Sequence, residues 1–307
     1  MGGLVKQVIA ETLKAWAWRS PFILRLATTA VDGAYLLRRS ARLRAQPASF
    51  PADSNEAPDL QRYRRYLAEF GSVEGWFTEG AIATWDVLLA HQTAQGWTGD
   101  LLEIGVLRGK SASLMALHAR PDETVVLVDP ALRRQAVNLV HEAHPGQNVL
   151  VRRRSDEIVE HPDITSRRHR LRWIHIDGEH SGPAVTNDLS LAAELLSYEG
   201  IICLDDFLAP GYPQITRATF AYLEHNPDLH LFLVGYRKGF ICHKDMSMQY
   251  MSFVRDRLVP EYRRRGFANY TLCKTNEPSD MNCFGVVDRY GDMDYKGLDH
   301  FPGRLPF

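Results

Sequence analysis

Short apolar runs alternate with amphipathic segments through the middle of the chain. The apolar runs read DLLEIG, TVVLVD, NVLVRR, LRWIHID, GIICLDD and LHLFLVG, and the segments between them include SASLMALHA, ALRRQAVNLVHEA, AVTNDLSLAAELL and TRATFAYLEH. Strands that are apolar on both faces and separated by helices are typical of a parallel sheet with helices on both sides. The pattern therefore predicts an α/β fold with a doubly wound, mostly parallel sheet over residues 97–290.

The flanking regions have weaker patterns. LQRYRRYLAEF predicts one helix and the segment from Thr78 to Gly96 predicts a second, so residues 59–96 are expected to form a helical cap. Toward the C terminus, GFICHKD and CFGVVDRYG predict strands, and MSMQYMSFVRDRLVPEYRRRG predicts a helix that is kinked at Pro260. Residues 291–307 are expected to form a C-terminal tail.

Residues 1–58 differ from the rest of the chain and are interpreted as a basic helical extension followed by a linker. The first 45 residues contain Glu11 and Asp32 against eight basic residues, which are Lys6, Lys14, Arg19, Arg25, Arg38, Arg39, Arg42 and Arg44. A basic, partly amphipathic segment can lie on an anionic membrane or pack on protein. Two interpretations stay open: peripheral membrane contact, and packing on the chain's own domain or on a second subunit of a homo-oligomer.

The net charge and the cysteines narrow the functional classes. A formal net charge of -1 over 307 residues gives no global field that would attract nucleic acid, so no nucleic-acid partner is predicted. The four cysteines form no C-x-x-C pair, and three of them lie in strand-like runs, which is typical of free buried thiols. We therefore predict a cytoplasmic protein, located at the inner membrane surface if the basic extension binds there.

A glycine turn follows the first predicted strand, in EIGVLRGKS at residues 103–111. A nucleoside triphosphate loop needs four residues between its glycines, whereas three residues separate Gly105 and Gly109. A dinucleotide-binding turn needs a glycine at the position of Leu107. Neither phosphate-binding motif is present, so the turn must serve another ligand.

Acidic residues close five successive predicted strands. In chain order they are Glu103, Asp129, Asp156 (next to Ser155), Asp177, and the pair Asp205 and Asp206. Open α/β sheets bind ligands outside the carboxyl ends of their strands. The binding edge of this sheet is therefore predicted to be acidic.

The acids of the first three strands favour a nucleoside with a positively charged tail as the ligand. Glu103 would repel a triphosphate and attract a cation. Asp129 is placed to accept hydrogen bonds from the two hydroxyls of a ribose. Asp156, with Ser155 beside it, lies where the amino group of an adenine ring would donate a hydrogen bond.

The motif Glu103-x-Gly105-x-x-x-Gly109, followed by Asp129, resembles the donor site of class I S-adenosylmethionine-dependent methyltransferases, which have a Rossmann-like fold. The stretch WIHIDGEHSGPAVTNDLSLAAELLSYEGIICLDDF resembles their metal-dependent branch, which methylates sugar or phenolic hydroxyls of small molecules. The resemblance implies an O-methyltransferase with a small hydroxylated acceptor. It also implies that the two glycines turn beneath the methionine part of S-adenosylmethionine and that Ser111 contacts the donor carboxylate.

Two other functions stay open on the sequence alone. A methyltransferase-fold protein can bind the donor without transferring a methyl group and serve in binding or assembly. An NAD-dependent oxidoreductase is the other alternative, although the missing middle glycine and the acid at Glu103 count against it.

Asp177, Asp205 and Asp206 are expected to bring three carboxylates to one point, because the fourth and fifth strands are neighbours. Like charges at this distance cost free energy or force one acid to take up a proton. A divalent cation relieves the conflict, so we predict a site for Mg²⁺ or another divalent ion at these residues. The alternative is that Asp205 or Asp206 caps the next helix and that Asp177 makes a turn hydrogen bond.

His180 is the candidate general base. Methyl transfer to a hydroxyl requires the oxygen to lose its proton, and the pKa of histidine lies near working pH. Because Asp177 and His180 share one short loop, both are predicted to be catalytic; a structural role for His180 is the alternative. His175, between two isoleucines, is interpreted as a buried structural histidine with a hydrogen-bond partner.

Overall fold

The computed structural model describes residues 57–275, 282–288 and 298–301. Residues 1–56, which contain the basic extension, lie outside the described part of the chain. Membrane contact and homo-oligomer formation through this extension therefore stay predictions. The strands of the described part are β1 (Asp100–Ile104), β2 (Val125–Val128), β3 (Asn148–Val151), β4 (Leu171–Ile176), β5 (Leu196–Leu204), β6 (Leu229–Gly235), β7 (Lys238–His243), β8 (Thr271–Thr275), β9 (Phe284–Val287) and β10 (Leu298–Phe301).

The helices of the same residues are α1 (Pro58–Arg65), α2 (Glu79–Ala94), α3 (Lys110–Leu117), α4 (Arg134–Ala143), α5 (Pro162–Thr165), α6 (Gly182–Leu195), α7 (Pro213–His225), α8 (Lys244–Phe253) and α9 (Val259–Arg264). Single turns of 3₁₀ or π type cover Tyr66–Phe70, Ser155–Glu157 and Val254–Leu258. Among these described segments, no helix is both long enough and apolar enough to cross a bilayer.

All ten described strands belong to one sheet, in the order β10-β8-β9-β6-β7-β5-β4-β1-β2-β3. Parallel pairing joins β3, β2, β1, β4 and β5, whereas β7 runs antiparallel to both β5 and β6. The predicted doubly wound, mostly parallel sheet is confirmed. The strand order reverses between β1 and β4, and the crevice at such a reversal is where open α/β sheets bind ligands.

Alternate residues of each central strand point to opposite sides of the sheet. Helices cover both sides. One buried cluster packs α2, α3, α4, α8 and α9 against the sheet, and a second packs α6 and α7. Helix α2 begins after Thr78, whose hydroxyl accepts a hydrogen bond from the Ala81 amide at 3.3 Å. Since α2 is buried along most of its length, this half of the predicted helical cap is a layer of the sheet domain. The predicted domain boundaries stay a prediction.

A buried charge pair fastens the layers together beneath the sheet edge. Arg172 of β4 is fully buried, and its guanidinium donates to both carboxylate oxygens of Glu123 at 2.8 Å. It also donates to the side-chain oxygen of Gln92 at 3.0 Å and to the carbonyl oxygen of His118 at 2.8 Å. Arg172 therefore connects β4 with α2, with the end of α3 and with the segment before β2.

The C-terminal region differs from the sequence prediction in two places. The irregular turn in its long helix is the π turn Val254–Leu258, and Pro260 lies at the start of α9, where a missing amide costs no hydrogen bond. Strands β8 and β10 were not predicted. Since β10 occupies four residues of the expected C-terminal tail and pairs antiparallel with β8, part of that tail is an edge of the sheet.

Candidate active site

The glycine turn after β1 lies directly against the loop after β4. Gly105 has a φ of +84° and Gly109 a φ of +80°, values that side-chain-bearing residues rarely adopt. A Cβ added at Gly105 would collide with the carbonyl oxygen of Asp177. The Asp177 amide in turn donates to the Ile104 carbonyl at 2.8 Å. The predicted donor turn and the predicted catalytic loop are therefore in backbone contact.

We expect Gly105→Ala to destabilise the fold. The strained φ and the collision with the Asp177 carbonyl together cost about 2–4 kcal/mol of the free energy of unfolding, which equilibrium urea unfolding measures. Gly96→Ala is the matched control: Gly96 also has a positive φ, +76°, but an added Cβ there meets nothing within 4 Å. Strain alone costs about 1–2 kcal/mol, so equal losses in the two variants would contradict the close contact at Gly105.

Asp129 holds the glycine turn from the end of β2. One carboxylate oxygen, Oδ2, accepts hydrogen bonds from the Val106 and Leu107 amides at 2.9 and 3.1 Å. The other, Oδ1, accepts from the Ala131 amide at 2.7 Å. Leu107 itself has a φ of +48°, and these bonds keep its backbone in that conformation. The structure shows Asp129 bracing the turn, while its contact with a ribose stays a prediction.

The side chains of Glu103 and Ser111 form a hydrogen bond with each other instead of facing the crevice unpaired. The Ser111 hydroxyl donates to Glu103 Oε1 at 2.5 Å, and His175 Nδ1 lies 2.7 Å from the same oxygen. All of Glu103 is buried, and its Oε2 has no hydrogen-bond partner among the described residues. The prediction of a buried, partnered His175 is confirmed. The predicted contacts of Glu103 and Ser111 with the donor stay predictions.

Ser155 and Asp156 lie in the 3₁₀ turn after β3, further along the same edge. The Asp156 carboxylate is exposed and accepts a hydrogen bond from Arg154 Nε at 3.1 Å. Ser155 lies close to the Asp188 carboxyl, and burial raises the pKa of Asp188 to about 6. Both residues are near the edge where an adenine would lie, and their role in binding it stays a prediction.

Asp177 and Asp205 meet at the ends of neighbouring strands. Ile176 of β4 is the register partner of Leu204 of β5, so the residues that follow are side by side. Among the described residues, His175, Asp177 and Asp205 form the one group whose ligand atoms all lie within 4.8 Å of one another. His175 Nε2 is buried and has no hydrogen-bond partner there. Sequence reasoning identified both acids but interpreted His175 as structural only.

Asp206 is turned away from that group. It has a φ of +50°, and its Oδ1 forms an ion pair with Arg237 Nη2 at 2.6 Å. Its Oδ2 lies 3.7 Å from His180 Nδ1. The structure thus places Asp206 beside the predicted base, and a common ion on Asp177, Asp205 and Asp206 stays a prediction.

His180 lies between two carboxylates at the open side of the loop. Its Nε2 is 3.3 Å from Asp177 Oδ1, and the ring packs edge-on against Tyr212 with centroids 4.5 Å apart. The Gln214 side chain donates to the His180 carbonyl at 2.8 Å. About a quarter of the His180 side chain, 27%, is exposed, so the ring is both held in place and accessible to an acceptor.

The electrostatics separate the two neighbouring acids. Burial and the Asp205 carboxylate raise the pKa of Asp177 to about 6. Burial alone would raise the pKa of Asp205, but the Lys238 ammonium outweighs it and lowers that pKa to about 2. The hydrogen bond to Asp177 raises the pKa of His180. Asp205 is therefore the stronger acid of the pair, and Asp177 titrates closer to neutral pH.

Lys238 and Arg237 are the residues that sequence reasoning missed. Lys238 Nζ pairs with Asp205 Oδ1, and Arg237 pairs with Asp206. The sequence contained one signal, because only Tyr236, Arg237 and Lys238 separate two predicted strands, which indicates a hairpin with two cations at its tip. It did not show that this hairpin would lie beside β5.

Residues 102–207 match the family model described as a methyltransferase domain. The match includes the glycine turn, the loop after β4 and the acid pair after β5. It identifies a methyltransferase domain in this chain, and the resemblance stated from the motifs is confirmed at that level. S-adenosylmethionine is the donor that this fold implies. No curated protein matches the sequence.

Several solved structures are similar to part of this chain at low identity. The O-methyltransferase NovP is 17% identical, with a TM-score of 0.43 over 54% of this chain and 82% of its own. TomG from Streptomyces achromogenes, an O-methyltransferase solved with S-adenosylmethionine, is 16% identical, with a TM-score of 0.40 over 62% and 90%. CalS11, a TDP-rhamnose 3'-O-methyltransferase, is 15% identical, with a TM-score of 0.41 over 65% and 98%. At these scores the similarities carry no argument about substrate.

Proposed function

We propose that this chain transfers the methyl group of S-adenosylmethionine to a hydroxyl of a small molecule. The observation that carries the proposal is the backbone contact between the glycine turn at Gly105 and the loop that holds Asp177 and His180. A donor bound on the turn would then lie next to the accessible imidazole. In-line placement of the two reactants is the main requirement of such a transfer.

When bound, S-adenosylmethionine supplies an electrophilic methyl carbon on a sulfonium. The chain's own residues then have to remove the hydroxyl proton of the acceptor as the oxygen–carbon bond forms and the carbon–sulfur bond breaks. In the tautomer that donates Nε2–H to Asp177, the lone pair of His180 is on Nδ1, and this nitrogen accepts the proton. The Asp206 carboxylate, 3.7 Å from Nδ1, stabilises the imidazolium that results.

The acceptor class follows from the motif resemblance and not from the solved structures. Residues 173–207 resemble the branch that methylates sugar and phenolic hydroxyls, so we propose a small hydroxylated acceptor, with a glycosyl group first in order. Tyr212, which packs on His180, offers an aromatic surface to a sugar ring or a phenol.

The divalent ion of this branch does not fit the residues as the structure arranges them. Mg²⁺ prefers oxygen ligands, but the third member of the group with Asp177 and Asp205 is the nitrogen of His175. Asp205 already pairs with the Lys238 ammonium, and Asp206 pairs with Arg237. The chain's own residues therefore carry the proposed transfer, although the sequence predicted metal assistance.

Calorimetry and a turnover assay test the proposed function. We expect the full chain to bind S-adenosylmethionine with micromolar affinity, about -8 kcal/mol. We also expect release of S-adenosylhomocysteine when nucleotide-linked sugars, glycosides or phenols are added. Donor binding without turnover on any of these acceptors would favour the non-transferring alternative. Absence of donor binding together with NADH binding would favour the oxidoreductase.

A further inference from the structure

A two-residue turn between β6 and β7 delivers two cations to the active site. Its central residues Tyr236 and Arg237 have φ values of +51° and +62°, which is the type I′ geometry that suits a β-hairpin but is usually built with Asn or Gly. Gly235 and Lys238 pair across the turn. The strain is offset by contacts, since the Tyr236 hydroxyl donates to the Asn269 carbonyl at 3.1 Å.

The two cations match the two acids after β5 one to one. Lys238 pairs with Asp205, and Arg237 pairs with Asp206 at 2.6 Å. The backbone follows the same match, because the Phe207 amide donates to the Arg237 carbonyl at 3.0 Å. The hairpin tip and the acidic turn are thus one bonded unit.

Lys238 is held in this position by its surroundings. The residue is 2% exposed, lies in β7 beside β5, and its ammonium is 5.5 Å from the centre of the Phe77 ring. A buried ammonium that moved away from Asp205 would lose the anion that compensates its burial.

Three neighbouring carboxylates need positive charge, and for this reason the sequence predicts a divalent ion here. The structure supplies two positive charges from the chain itself, the Lys238 ammonium beside Asp205 and the Arg237 guanidinium beside Asp206. Two of the three acids therefore already have a cation without an added ion, and the third, Asp177, lies 3.3 Å from the His180 ring. A divalent cation would have to approach a lysine ammonium at a distance where like charges repel strongly.

We propose that Lys238, with Arg237, is the resident cation of this active site and takes the place of a divalent metal. Lys238 is a positioning residue that holds the Asp205 carboxylate beside Asp177, whose carboxyl in turn lies 3.3 Å from the His180 ring. The inference rests on the proposed transferase function. The property that it concerns, the affinity of the site for a divalent cation, is measurable without turnover.

Titration of the full chain with Mn²⁺, followed by electron paramagnetic resonance, tests the inference. We expect no stoichiometric Mn²⁺ site in the wild type. Lys238→Met keeps the side-chain volume and removes the charge, so it should tighten Mn²⁺ binding at least about tenfold. The double variant Lys238→Met/Asp205→Asn should lose that gain. Lys244→Met, which removes a lysine outside the site, should behave as the wild type.

A stoichiometric Mn²⁺ site in the wild type that Asp205→Asn abolishes would overturn the inference. So would a folded Lys238→Met variant with no gain in Mn²⁺ affinity. If that variant does not fold, the wild-type and Asp205→Asn titrations still decide. Calorimetry with S-adenosylmethionine is run in parallel: loss of donor binding refutes the transferase, whereas the Mn²⁺ result alone decides the role of Lys238.

Discussion

Replacing His180 by Gln is expected to lower kcat by about 10²–10⁴, the usual contribution of a positioned general base. Glutamine keeps a donor for the Asp177 carboxylate but cannot take up a proton. Donor affinity should not change, because His180 does not contact the glycine turn at Gly105. Steady-state kinetics with the best acceptor and calorimetry with S-adenosylmethionine separate the two effects.

The kcat of the same reaction is expected to increase with pH. The pKa of His180 is raised, chiefly by the hydrogen bond to Asp177, and only the neutral ring can accept the proton. The kcat should therefore increase with pH through a limb above the usual histidine range. Asp177→Asn removes the largest contribution to the raised pKa of His180, so any residual activity should show this limb at lower pH.

His225→Gln is the matched control for the base. His225 lies at the end of α7, with its Nδ1 2.8 Å from the Ala221 carbonyl and outside the crevice. Its replacement should leave kcat and the pH profile as they are. If His180→Gln kept kcat within about threefold of the wild type, less than the contribution of a general base, the base would have to be another group.

The fold was predictable from the sequence because its signal is local. Each central strand is a short apolar run between helices, and an acid lies near or shortly after the end of five of these runs, so element type and the binding edge follow from periodicity and strand order. The weaker C-terminal strands were less visible. TLCKT, which forms β8, is too short and too mixed in polarity to be distinguished from a loop before its partner β9 is known.

The active site was predictable only in part, and the reason is long-range pairing. Asp177 and Asp205 could be placed together because parallel neighbours end at the same edge. The partner of Asp205 comes from Lys238, on a strand that enters the sheet antiparallel beside β5. Which strand a hairpin joins depends on tertiary packing. The sequence shows the acids but not the lysine that pairs with Asp205, and for this reason it suggests a metal ion.

Replacing Arg172 by Met is expected to destabilise the fold by about 3–5 kcal/mol, the cost of breaking a buried ion pair by removal of one partner. Met keeps most of the side-chain volume but leaves the Glu123 carboxylate buried without its guanidinium. The Gly99 and Arg120 amides still donate to Glu123 at 3.0 and 2.8 Å, which limits the loss. Equilibrium urea unfolding at neutral pH measures the free energy of unfolding.

The pH dependence of the free energy of unfolding tests the same prediction independently. Burial alone would raise the pKa of Glu123, but its hydrogen bonds with Arg172 lower it, so the wild type loses this stability as pH falls through the folded pKa. In Arg172→Met the buried carboxyl without its guanidinium takes up a proton more readily, so the difference in the free energy of unfolding from the wild type should narrow as pH falls toward the usual range of a glutamic acid.

The double variant Arg172→Met/Glu123→Gln should recover part of the loss, because no charge is left unpaired. Arg168→Met is the matched control, since Arg168 pairs with Glu194 at 3.4 Å where both side chains are half exposed. Such surface pairs contribute about 0–1 kcal/mol. If Arg172→Met cost no more than this control, the helices and the sheet would be held together by apolar packing and not by the buried pair.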